Sequence, residues 1–458
     1  MAGPLPLGMT RPPPARLSTF GYIQTARKDY LASFTEACYE QEFVHRRVLG
    51  RPSVVVNAPE AIQQILVDRA PNYIKAKVLH RLLEPAFGNG VVTTEGETWQ
   101  AQRHRIAPIF QPRNLGRWQE PISGALGEMF SRWEDSTPRD GTLDFGEEAR
   151  RLTLNIMCRG LLDVTGADLE AKINAAVADY QRSFGGIGLV DILGLPAWLP
   201  SRAASRAKRA VRELDRAIAE LVGIGERAPG ISRALYGWDG HAVSAADLSL
   251  SRETRDELTT LLLAGQDTTA VALVWALYLL ALHPAAQDEI RRETIPVFGD
   301  AGPAIEWFDR LPYTRAVIDE TLRLFPPAYA LLREVVADDV VCGQTLRRGS
   351  TVIISPWVLH RHRLLWDRPG QFRPERFSRE GALGRHRCAF IPFGAGPRVC
   401  VGARLAMIEL VLIVASIIHR YRIGLAHGET MAPVALVTLW PREALLLKLE
   451  SADRPPPQ

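Results

Sequence analysis

The segment from Leu261 to Leu282, LLLAGQDTTAVALVWALYLLAL, limits the possible folds of this chain more than any other. It is long enough to cross a membrane, yet Gln266, Asp267 and two threonines interrupt its apolar sequence. An ionisable residue in the middle of a bilayer costs about 2.5 to 3.5 kcal/mol even on insertion scales. The sequence therefore predicts a buried core helix from Glu257 to Leu282, around which the rest of the chain packs.

The composition is that of an ordinary globular protein. Of its residues 47% are apolar and 23% are charged, which excludes a disordered, fibrous or coiled-coil chain. With 458 residues the chain is long enough to bury a large cofactor. The net charge is only +4 and the basic residues are scattered, so no nucleic-acid partner is expected. We expect a single domain over residues 1–458, as a monomer.

The five cysteines are odd in number and none forms a CxxC pair, which excludes a disulfide framework and a zinc ribbon. The amino terminus, MAGPLPLGMTRPPPARL, is interrupted by prolines and has neither a membrane span nor a signal-peptide pattern. These features predict a soluble, cytoplasmic protein without a transmembrane anchor. The preference for arginine over lysine points to a bacterium with GC-rich coding.

The pattern along the chain predicts a mainly α fold with small β-sheets, an α+β arrangement. A Gly-Arg-Pro turn between apolar runs predicts two strands within residues 44–58. The clearest helices are predicted at Trp99–Phe110, Glu147–Leu162, Arg202–Arg227, Ala285–Glu293 and Val401–Ile418. The parts expected are a β-rich part at about 20–60 and 331–355, a helical body at about 61–330 and 386–420, and a disordered tail at 452–458.

Residues Phe184 to Pro200, FGGIGLVDILGLPAWLP, are glycine-rich, end in proline and are unusually apolar for a loop. Two interpretations remain open. The segment is either a loop packed on the helical body or a mobile lid over an apolar cavity, to which glycine gives flexibility.

Cys400 lies in FGAGPRVCVG, residues 393–402, just before the last predicted helix. The surrounding glycines allow the backbone to approach a flat cofactor, and amide groups at the start of a helix stabilise a negative sulfur. On these residues alone, a thiolate ligand and a buried structural cysteine are equally open.

Two further motifs have both a simple and a functional interpretation. Glu320 and Arg323, in DETLRLFPP, share one helix face, and such a pair considered alone is a surface salt bridge worth about 0 to 1 kcal/mol. Ala264 to Thr269, AGQDTT, lies within the apolar helix. Gly265 allows another group to approach the helix closely, and the Asp-Thr pair is costly to bury unless it has hydrogen-bond partners or a function. The simpler interpretation of the second motif is a helix kink with a satisfied threonine hydroxyl.

The motif around Cys400 resembles a known family. Phe393, Gly396, Arg398, Cys400 and Gly402 match every fixed position of Phe-x-x-Gly-x-Arg-x-Cys-x-Gly, the haem-binding signature of the cytochrome P450 family, which the chain resembles over nearly its whole length. The resemblance implies haem b between the Glu257–Leu282 helix and the Cys400 loop with its following helix, and Cys400 as the axial ligand of the iron. By the same resemblance, Phe393 would pack near the sulfur and Arg398 would meet a haem propionate.

The resemblance also assigns the other two motifs. Glu320 and Arg323 look like the family's ExxR pair, joined by Arg376 of FRPERF in a buried charged network that holds the cysteine loop, a structural role. The AGQDTT stretch is similar to the oxygen-activation motif. Thr268 would hydrogen-bond dioxygen and Asp267 would relay protons, while Ala264 and Gly265 would face the cofactor.

Haem propionates need cationic partners in an apolar interior. Trp99 and Arg103, in GETWQAQRHR, look like the family's WxxxR, and Arg333 resembles the arginine on the strand after the ExxR helix. A solvated helix-face arginine remains an alternative for Arg103, and His104 is placed to share its role. His360 and His362 lack further ligands at metal-binding spacing and are interpreted as surface residues.

The resemblance implies a haem-thiolate monooxygenase that inserts one oxygen atom from O2 into an apolar substrate, such as a lipid, terpenoid, steroid or aromatic compound. Electrons would come from NAD(P)H through a separate reductase and a ferredoxin or flavodoxin, because the sequence contains no flavin or ferredoxin module. The candidates for docking that partner are Arg103, Arg105, Arg113 and Arg404. The expected pocket walls are Leu79–Thr93, Phe184–Leu199, Leu262–Ala264 and Ala328–Leu332.

Two rival functions remain. A peroxide-driven haem enzyme or haem isomerase would not need the pair Asp267 and Thr268. A haem-based gas sensor would use Cys400 without catalysis, but such sensors usually have an output module, and the sequence suggests none.

Overall fold

The computed structural model describes residues 12–13, 18–48, 50–136, 141–162, 167–183, 209–214, 216–217, 220, 252–298, 303–427 and 430–452. The helices are α1 (Thr19–Lys28), α2 (Pro59–Gln63), α3 (Lys77–Phe87), α4 (Gly96–Ile106), α5 (Gln119–Ser136), α6 (Phe145–Leu162), α7 (Ala167–Ser183), α8 (Arg252–Leu282), α9 (Pro284–Phe298), α10 (Pro312–Leu324), α11 (Pro356–Leu359) and α12 (Ala403–Arg420). The strands are β1 (Phe43–Val48), β2 (Arg51–Val56), β3 (Tyr73–Lys75), β4 (Thr142–Asp144), β5 (Leu331–Val335), β6 (Asp339–Val341), β7 (Gln344–Leu346), β8 (Thr351–Ile354), β9 (Tyr421–Leu425), β10 (Pro433–Ala435), β11 (Leu439–Pro441) and β12 (Leu446–Ser451).

Helix α8 packs against α6, α10 and α12 in the interior of the protein. By length and composition Asp256–Leu282 could cross a membrane, but 83% of its most apolar stretch is buried inside the protein. A helix that is hydrophobic on all sides is stable when other helices cover all of those sides. The predicted core helix is therefore confirmed, and it begins earlier than predicted, at Arg252.

The largest hydrophobic core surrounds α8 and includes the apolar faces of α5, α6 and α12. Trp275 of α8 stacks on Phe325, just after α10, with ring centroids 3.9 Å apart and planes only 4° apart. Gly160 of α6 lies so close to Trp118 that an added Cβ would be 2.2 Å from its ring. Each fully buried side chain of this size contributes about 1.5 to 3 kcal/mol, so the core stabilises the position of α8 strongly.

A five-stranded sheet has the order β1-β2-β8-β5-β3, and several of its buried side chains belong to a second, smaller hydrophobic core. Strands β1 and β2 pair antiparallel from Phe43 opposite Val56 to Val48 opposite Arg51, which confirms the two predicted strands. Between them Gly50 adopts a left-handed φ of 77°, which glycine tolerates best. Strand β8 joins the two halves by pairing parallel with β2 and antiparallel with β5.

Other strands differ from the predictions. The β-rich part expected at about 331–355 contains four separate strands, β5 to β8, and Thr19–Lys28, in the other part expected to be β-rich, is helical. The small sheets near the carboxyl end, β4-β12-β9 and β10-β11, were not predicted. Their strands are mostly three to six residues long, and Leu446 pairs with Asp144 across some 300 residues, so local sequence patterns did not reveal them.

Three predicted segments lie outside or mostly outside the described residues. The apolar segment Phe184 to Pro200 lies outside them entirely. Of the helix predicted at Arg202–Arg227, residues 209–214, 216–217 and 220 are described and are helical. Almost all of the predicted tail, from residue 453 onward, also lies outside.

Glu409 is a carboxyl group in the interior of α12. It is 2% exposed, and its Oε1 has no hydrogen-bond partner among the described residues. Burial raises the pKa of Glu409 to about 8. The folded protein therefore holds this group neutral at pH 7, whereas an unfolded chain ionises it above about pH 4.3.

We expect Glu409→Gln to stabilise the protein increasingly as pH rises. Because the folded pKa is above the unfolded one, the wild-type group loses stability between pH 5 and 8, by up to about 1.4 kcal/mol per pH unit. Denaturant unfolding of both proteins across this range measures the difference, with the exposed Glu450→Gln as the control. A difference between wild type and Glu409→Gln that stays constant with pH would contradict the assignment.

Candidate functional site

The Cys400 loop is closed by main-chain hydrogen bonds before α12 begins. The Cys400 N–H donates to the Phe393 carbonyl at 2.9 Å, and the Gly394 N–H donates to Ile391 at 3.0 Å. Gly402 is the residue that precedes α12, and its carbonyl accepts the Ala406 N–H at 2.8 Å. The loop therefore presents the sulfur of Cys400 just before the start of a helix, as the sequence predicted.

Gly396 is required by protein contacts. Its φ is 71°, and an added Cβ would lie 1.8 Å from the Leu66 carbonyl oxygen. We had expected the glycines to allow approach to a flat cofactor, but this one allows the loop to touch the turn that contains Leu66. At Gly402 an added Cβ would meet the Phe110 ring at 3.7 Å, an ordinary contact.

The Cys400 thiol is both accessible and deep in the protein. Solvent reaches Cys400, yet desolvation by surrounding protein is the main influence on the acidity of its thiol. A thiol that is both accessible and strongly desolvated lies in a recess instead of on the outer surface. Desolvation raises the pKa of Cys400, while the Gly402 N–H and the Arg103 guanidinium act to lower it.

Within its described stretch 256–280, helix α8 has one partly exposed place on its surface. From Asp256 to Leu280, all residues are buried except Ala264, Gly265 and Thr268. Positions i and i+4 lie on the same side of a helix, so these three form a single opening made of small side chains. A flat group fits against such a face because no long side chain projects from it.

The polar residues beside this opening are held in place. Thr268 donates its hydroxyl proton to the Ala264 carbonyl at 2.7 Å, so its oxygen lone pairs remain as acceptors. The buried Asp267 carboxylate accepts hydrogen bonds from Thr438 Oγ1 at 2.6 Å and from Trp440 Nε1 at 3.2 Å. The satisfied threonine hydroxyl matches the simpler interpretation of this motif, and it does not exclude the functional one.

A cluster of cations lies around the start of α4. Arg398 donates to the Thr94 carbonyl at 2.9 Å, is paired with the Glu95 carboxylate, and stacks over the Trp99 ring at 3.9 Å from its centroid. Arg333 is buried, donates to the Leu332 carbonyl, and burial lowers its pKa to about 10.

Lys75 is a member of this cluster that the sequence did not reveal. It lies directly opposite Arg333 in the antiparallel pair of β3 and β5. Burial, Arg398 and Arg333 lower the pKa of Lys75 to about 7, although Glu95 acts to raise it. Like charges directly opposite each other destabilise a sheet. At pH 7 Lys75 is therefore only about half protonated. It shares the carboxylate of Glu95 with Arg333 and Arg398, so an additional anion would favour its charged form.

The other arginines assigned to this side of the protein differ in their contacts. Arg103 is half-buried and near Cys400, as its influence on the cysteine pKa shows. Arg105, a predicted docking residue, instead pairs within the protein with Glu253 at 3.1 Å and Glu257 at 3.6 Å. Arg113 and Arg404 are exposed.

Arg323 and Glu320 form a fully buried pair. Both side chains have 0% exposure, and two nitrogen–oxygen contacts of 2.7 Å join them. The guanidinium also donates to the carbonyls of His360 and Pro369 at 2.7 Å and of Gln371 at 3.1 Å. The surface salt bridge that the spacing alone would favour is therefore wrong.

Arg376 joins this network as predicted. Its Nε lies 3.4 Å from Glu320 Oε1, and its guanidinium donates to the Arg368 carbonyl at 2.9 Å. The Arg373 main-chain N–H also donates to Glu320, at 2.9 Å. The Glu320 carboxylate thus binds the side chains of Arg323 and Arg376 and the main-chain N–H of Arg373.

The interpretation of His360 and His362 as surface residues was wrong. His360 is 0% exposed and His362 is 1% exposed. His360 Nε2 accepts the Ile391 N–H at 2.9 Å, and His362 Nε2 is 3.2 Å from the Gln41 carbonyl. Their short spacing and polar neighbours in the sequence hid the fact that this segment passes through the interior.

These residues fit haem as the cofactor. The accessible, deep thiol can bind iron, the small-residue opening of α8 can face a flat ring, and the surplus cations of Lys75, Arg333 and Arg398 can bind propionates. Together they define a protein of the haem-thiolate class.

Comparisons with known proteins agree. The family described as Cytochrome P450 matches residues 11–447. Cyclooctatin synthase of Streptomyces melanosporofaciens is 30% identical over 86% of this chain and 85% of its own length. Protein LUTEIN DEFICIENT 5 of Arabidopsis thaliana is 27% identical over 91% and 73%, and Cytochrome P450 4X1 of Rattus norvegicus is 28% identical over 82% and 78%.

The chain belongs to the cytochrome P450 family. Its fold is the mainly α fold with small sheets of that family, its cofactor is haem b, and its activity is that of a P450 monooxygenase. The matched relatives come from bacteria, a plant and mammals, so similarity does not assign the chain to a bacterial type.

Several residues of the site were missed in the sequence. Lys75, Glu95, Thr438, Trp440 and His360 each touch a predicted site residue or its network. Of these, only Glu95 had a local signal, because it precedes the helix that carries Trp99. The others lie tens to hundreds of residues from their partners, and no spacing rule connects them.

We expect Glu320→Gln to destabilise the protein by about 3 to 5 kcal/mol, because it leaves the buried Arg323 charge unpaired. Denaturant unfolding and retention of haem during gel filtration measure the loss. Asp319→Asn is the matched control on the same helix, since burial already raises the pKa of Asp319 to about 6. An equal loss in both variants would contradict a special role for the Glu320 pair.

We expect Lys75→Met to have opposite effects on the cofactor-free and the haem-bound protein. Removing a cation opposite Arg333 relieves repulsion and should stabilise the cofactor-free protein. It should also weaken haem binding roughly tenfold, because a propionate loses a charged partner. Thermal unfolding without haem and haem titration test the two effects, with the exposed Lys77→Met as the control. Unchanged haem affinity would contradict the propionate assignment.

Proposed function

We propose that this monooxygenase inserts one oxygen atom from O2 into an apolar small molecule, such as a lipid, terpenoid, steroid or aromatic compound. Within the described residues, the expected pocket walls Leu79–Thr93, Leu262–Ala264 and Ala328–Leu332 are mainly apolar. The relatives named Cyclooctatin synthase and Cyclooctat-9-en-7-ol 5-monooxygenase act, by those names, on small molecules, which supports the same kind of substrate here.

The observation that carries this proposal is the partly exposed face of α8 beside the hydrogen-bonded Asp267 carboxylate. Ala264, Gly265 and Thr268 form the opening, and Asp267 lies next to it in the sequence with two hydrogen-bond donors on its carboxylate. A polar pair placed beside an opening in an otherwise apolar helix suits proton transfer to a reacting group.

The residues divide the work as follows. When bound, haem would supply the electron-transfer and dioxygen chemistry, and the Cys400 thiolate would hold it. Trp99, Arg103, Lys75, Arg333 and Arg398 would hold its edge, while Phe393, Gly396 and Gly402 shape the loop that presents the sulfur. Thr268 accepts a hydrogen bond at the opening, and Asp267 holds and releases a proton one residue away. Glu320, Arg323 and Arg376 keep the loop in position.

Electrons come from NAD(P)H through a separate reductase and a ferredoxin or flavodoxin. Arg113 and Arg404 are exposed and are the best candidates for docking an acidic partner, since Arg105 already pairs with two carboxylates and Arg103 is half-buried near Cys400. We also infer a soluble, monomeric, bacterial-type enzyme in the cytoplasm. In the described part of the chain Cys38, Cys158, Cys342, Cys388 and Cys400 form no disulfide, which suits a reducing compartment.

We expect Asp267→Asn to lower the rate of oxygenation with NAD(P)H and redox partners by roughly 100-fold or more, because a neutral amide cannot relay the proton. Oxygenation driven by hydrogen peroxide should change much less, since peroxide already carries its protons. Product formed per NAD(P)H and peroxide released are the measurements. Asp256→Asn is the matched control, a buried aspartate on the same helix.

The outcome that favours the rival function is equally specific. Peroxide that outperforms NAD(P)H with redox partners in the wild type, together with a harmless Asp267→Asn, would indicate a peroxide-driven enzyme or isomerase. NAD(P)H oxidation that responds to no candidate substrate would indicate a gas sensor.

Substrate class is tested by titrating the haem-bound protein with a library of lipids, terpenoids, steroids and aromatic compounds. Displacement of the water ligand changes the haem spectrum, so each compound that enters the pocket is scored directly. We expect responses from apolar compounds of at least one class. Responses confined to charged, polar compounds would contradict the apolar pocket.

A further inference from the structure

His360 lies between the Arg323 network and the Cys400 loop. Its side chain is fully buried, with the rings of Phe390 and Trp366 around it at centroid distances of 5.1 Å and 6.5 Å. A histidine without exposure needs polar partners, because burial of an unsatisfied ring nitrogen is costly.

The ring is a hydrogen-bond acceptor. The Ile391 N–H points at His360 Nε2 over 2.9 Å, and a main-chain N–H can only donate. Nε2 therefore carries no proton, and the imidazole is neutral. Burial and the cations of Arg323 and Arg361 lower the pKa of His360 well below its usual value, against the carbonyls of Leu322 and Arg323, which raise it.

The main chain of the same residue contacts the buried network. The His360 carbonyl accepts a hydrogen bond from Arg323 Nη1 at 2.7 Å. His360 thus touches Arg323 through its carbonyl and the cysteine loop through its ring.

From Ile391 the connection continues to the sulfur. The Ile391 carbonyl accepts the Gly394 N–H at 3.0 Å, and the Phe393 carbonyl accepts the Cys400 N–H at 2.9 Å. Hydrogen bonds therefore lead from Arg323 through His360 and the start of the loop to Cys400.

We propose that His360 is a positioning residue, which ties the Cys400 loop to the Arg323 network by accepting the Ile391 N–H and so sets the place of the thiolate. This inference rests on the proposed role of Cys400 as the axial ligand. Within the described residues, Glu320 and Arg323 form no hydrogen bond with residues 391–402, so the His360 side chain provides the link between the ion pair and the loop.

His362 provides a matched comparison. It is the same residue type, lies two positions further on and is also buried. Its Nε2 faces the Gln41 carbonyl, away from the cysteine loop. Substitutions at His362 therefore report the general cost of changing a buried histidine in this segment.

The test compares His360→Gln with His360→Asn in the haem-bound protein. Both variants introduce a carboxamide, but only glutamine is long enough to place its oxygen where Nε2 lies. We expect His360→Gln to keep the absorption band that marks thiolate-bound haem after reduction and carbon monoxide, and His360→Asn to lose most of it. Hydrogen exchange of the Ile391 amide should be about tenfold or more faster in His360→Asn and near wild type in His360→Gln.

The matched pair His362→Gln and His362→Asn should keep both the band and the protection of the Ile391 amide. The inference is overturned if His360→Asn behaves as the wild type, or if His360→Gln and His360→Asn are damaged equally. A failure of Cys400 as ligand is distinguishable, because the wild type itself would then lack the band. The exchange of the Ile391 amide would still decide the role of His360.

Discussion

The buried charge of Arg323 is the constraint on which the rest of the site depends. A guanidinium with no exposure costs several kcal/mol unless its donors are paired, and here one carboxylate and three carbonyls pair them. Those carbonyls belong to residues 360–371, a described stretch that contains turns and bends but no helix or strand. The chain must therefore follow one path past α10, and this path leads into the cysteine loop.

The loop is held from two sides. On one side His360 accepts the Ile391 N–H, and on the other Gly396 packs against the Leu66 carbonyl so closely that any Cβ would collide. Opposing constraints of this kind leave the sulfur of Cys400 little freedom. Helix α8 contributes space instead of rigidity. Its small residues leave an opening, while the neighbouring positions of the helix are buried. Rigidity at the ligand and space at the helix are both needed for a large flat cofactor.

Sequence analysis succeeded where the signal was local or belonged to a known motif. The apolar period of α8, the Gly-Arg-Pro turn between β1 and β2, and the residues around Cys400 each lie within one continuous segment. The membership of Arg376 in the network came from its motif, and the structure brings it within 3.4 Å of Glu320.

The remaining features depend on contacts between distant segments. Lys75 meets Arg333 only because β3 pairs with β5, and Thr438 meets Asp267 only because the β10-β11 hairpin docks on α8. His360 and His362 were predicted to lie on the surface because their neighbours in the sequence are polar. Their segment is buried, because the His360 carbonyl accepts a hydrogen bond from Arg323. Such positions are decided by packing and charge balance, which a pattern in one segment does not contain.

The measurement that tests this account most directly is the spectrum of the reduced, haem-loaded protein with carbon monoxide. We predict the band of thiolate-bound haem in the wild type and in Cys388→Ala, a buried cysteine near the loop, and its loss in Cys400→Ala that still takes up haem. Survival of the band in Cys400→Ala, or its absence from haem-loaded wild type, would contradict the assignment of Cys400 and with it the central claim.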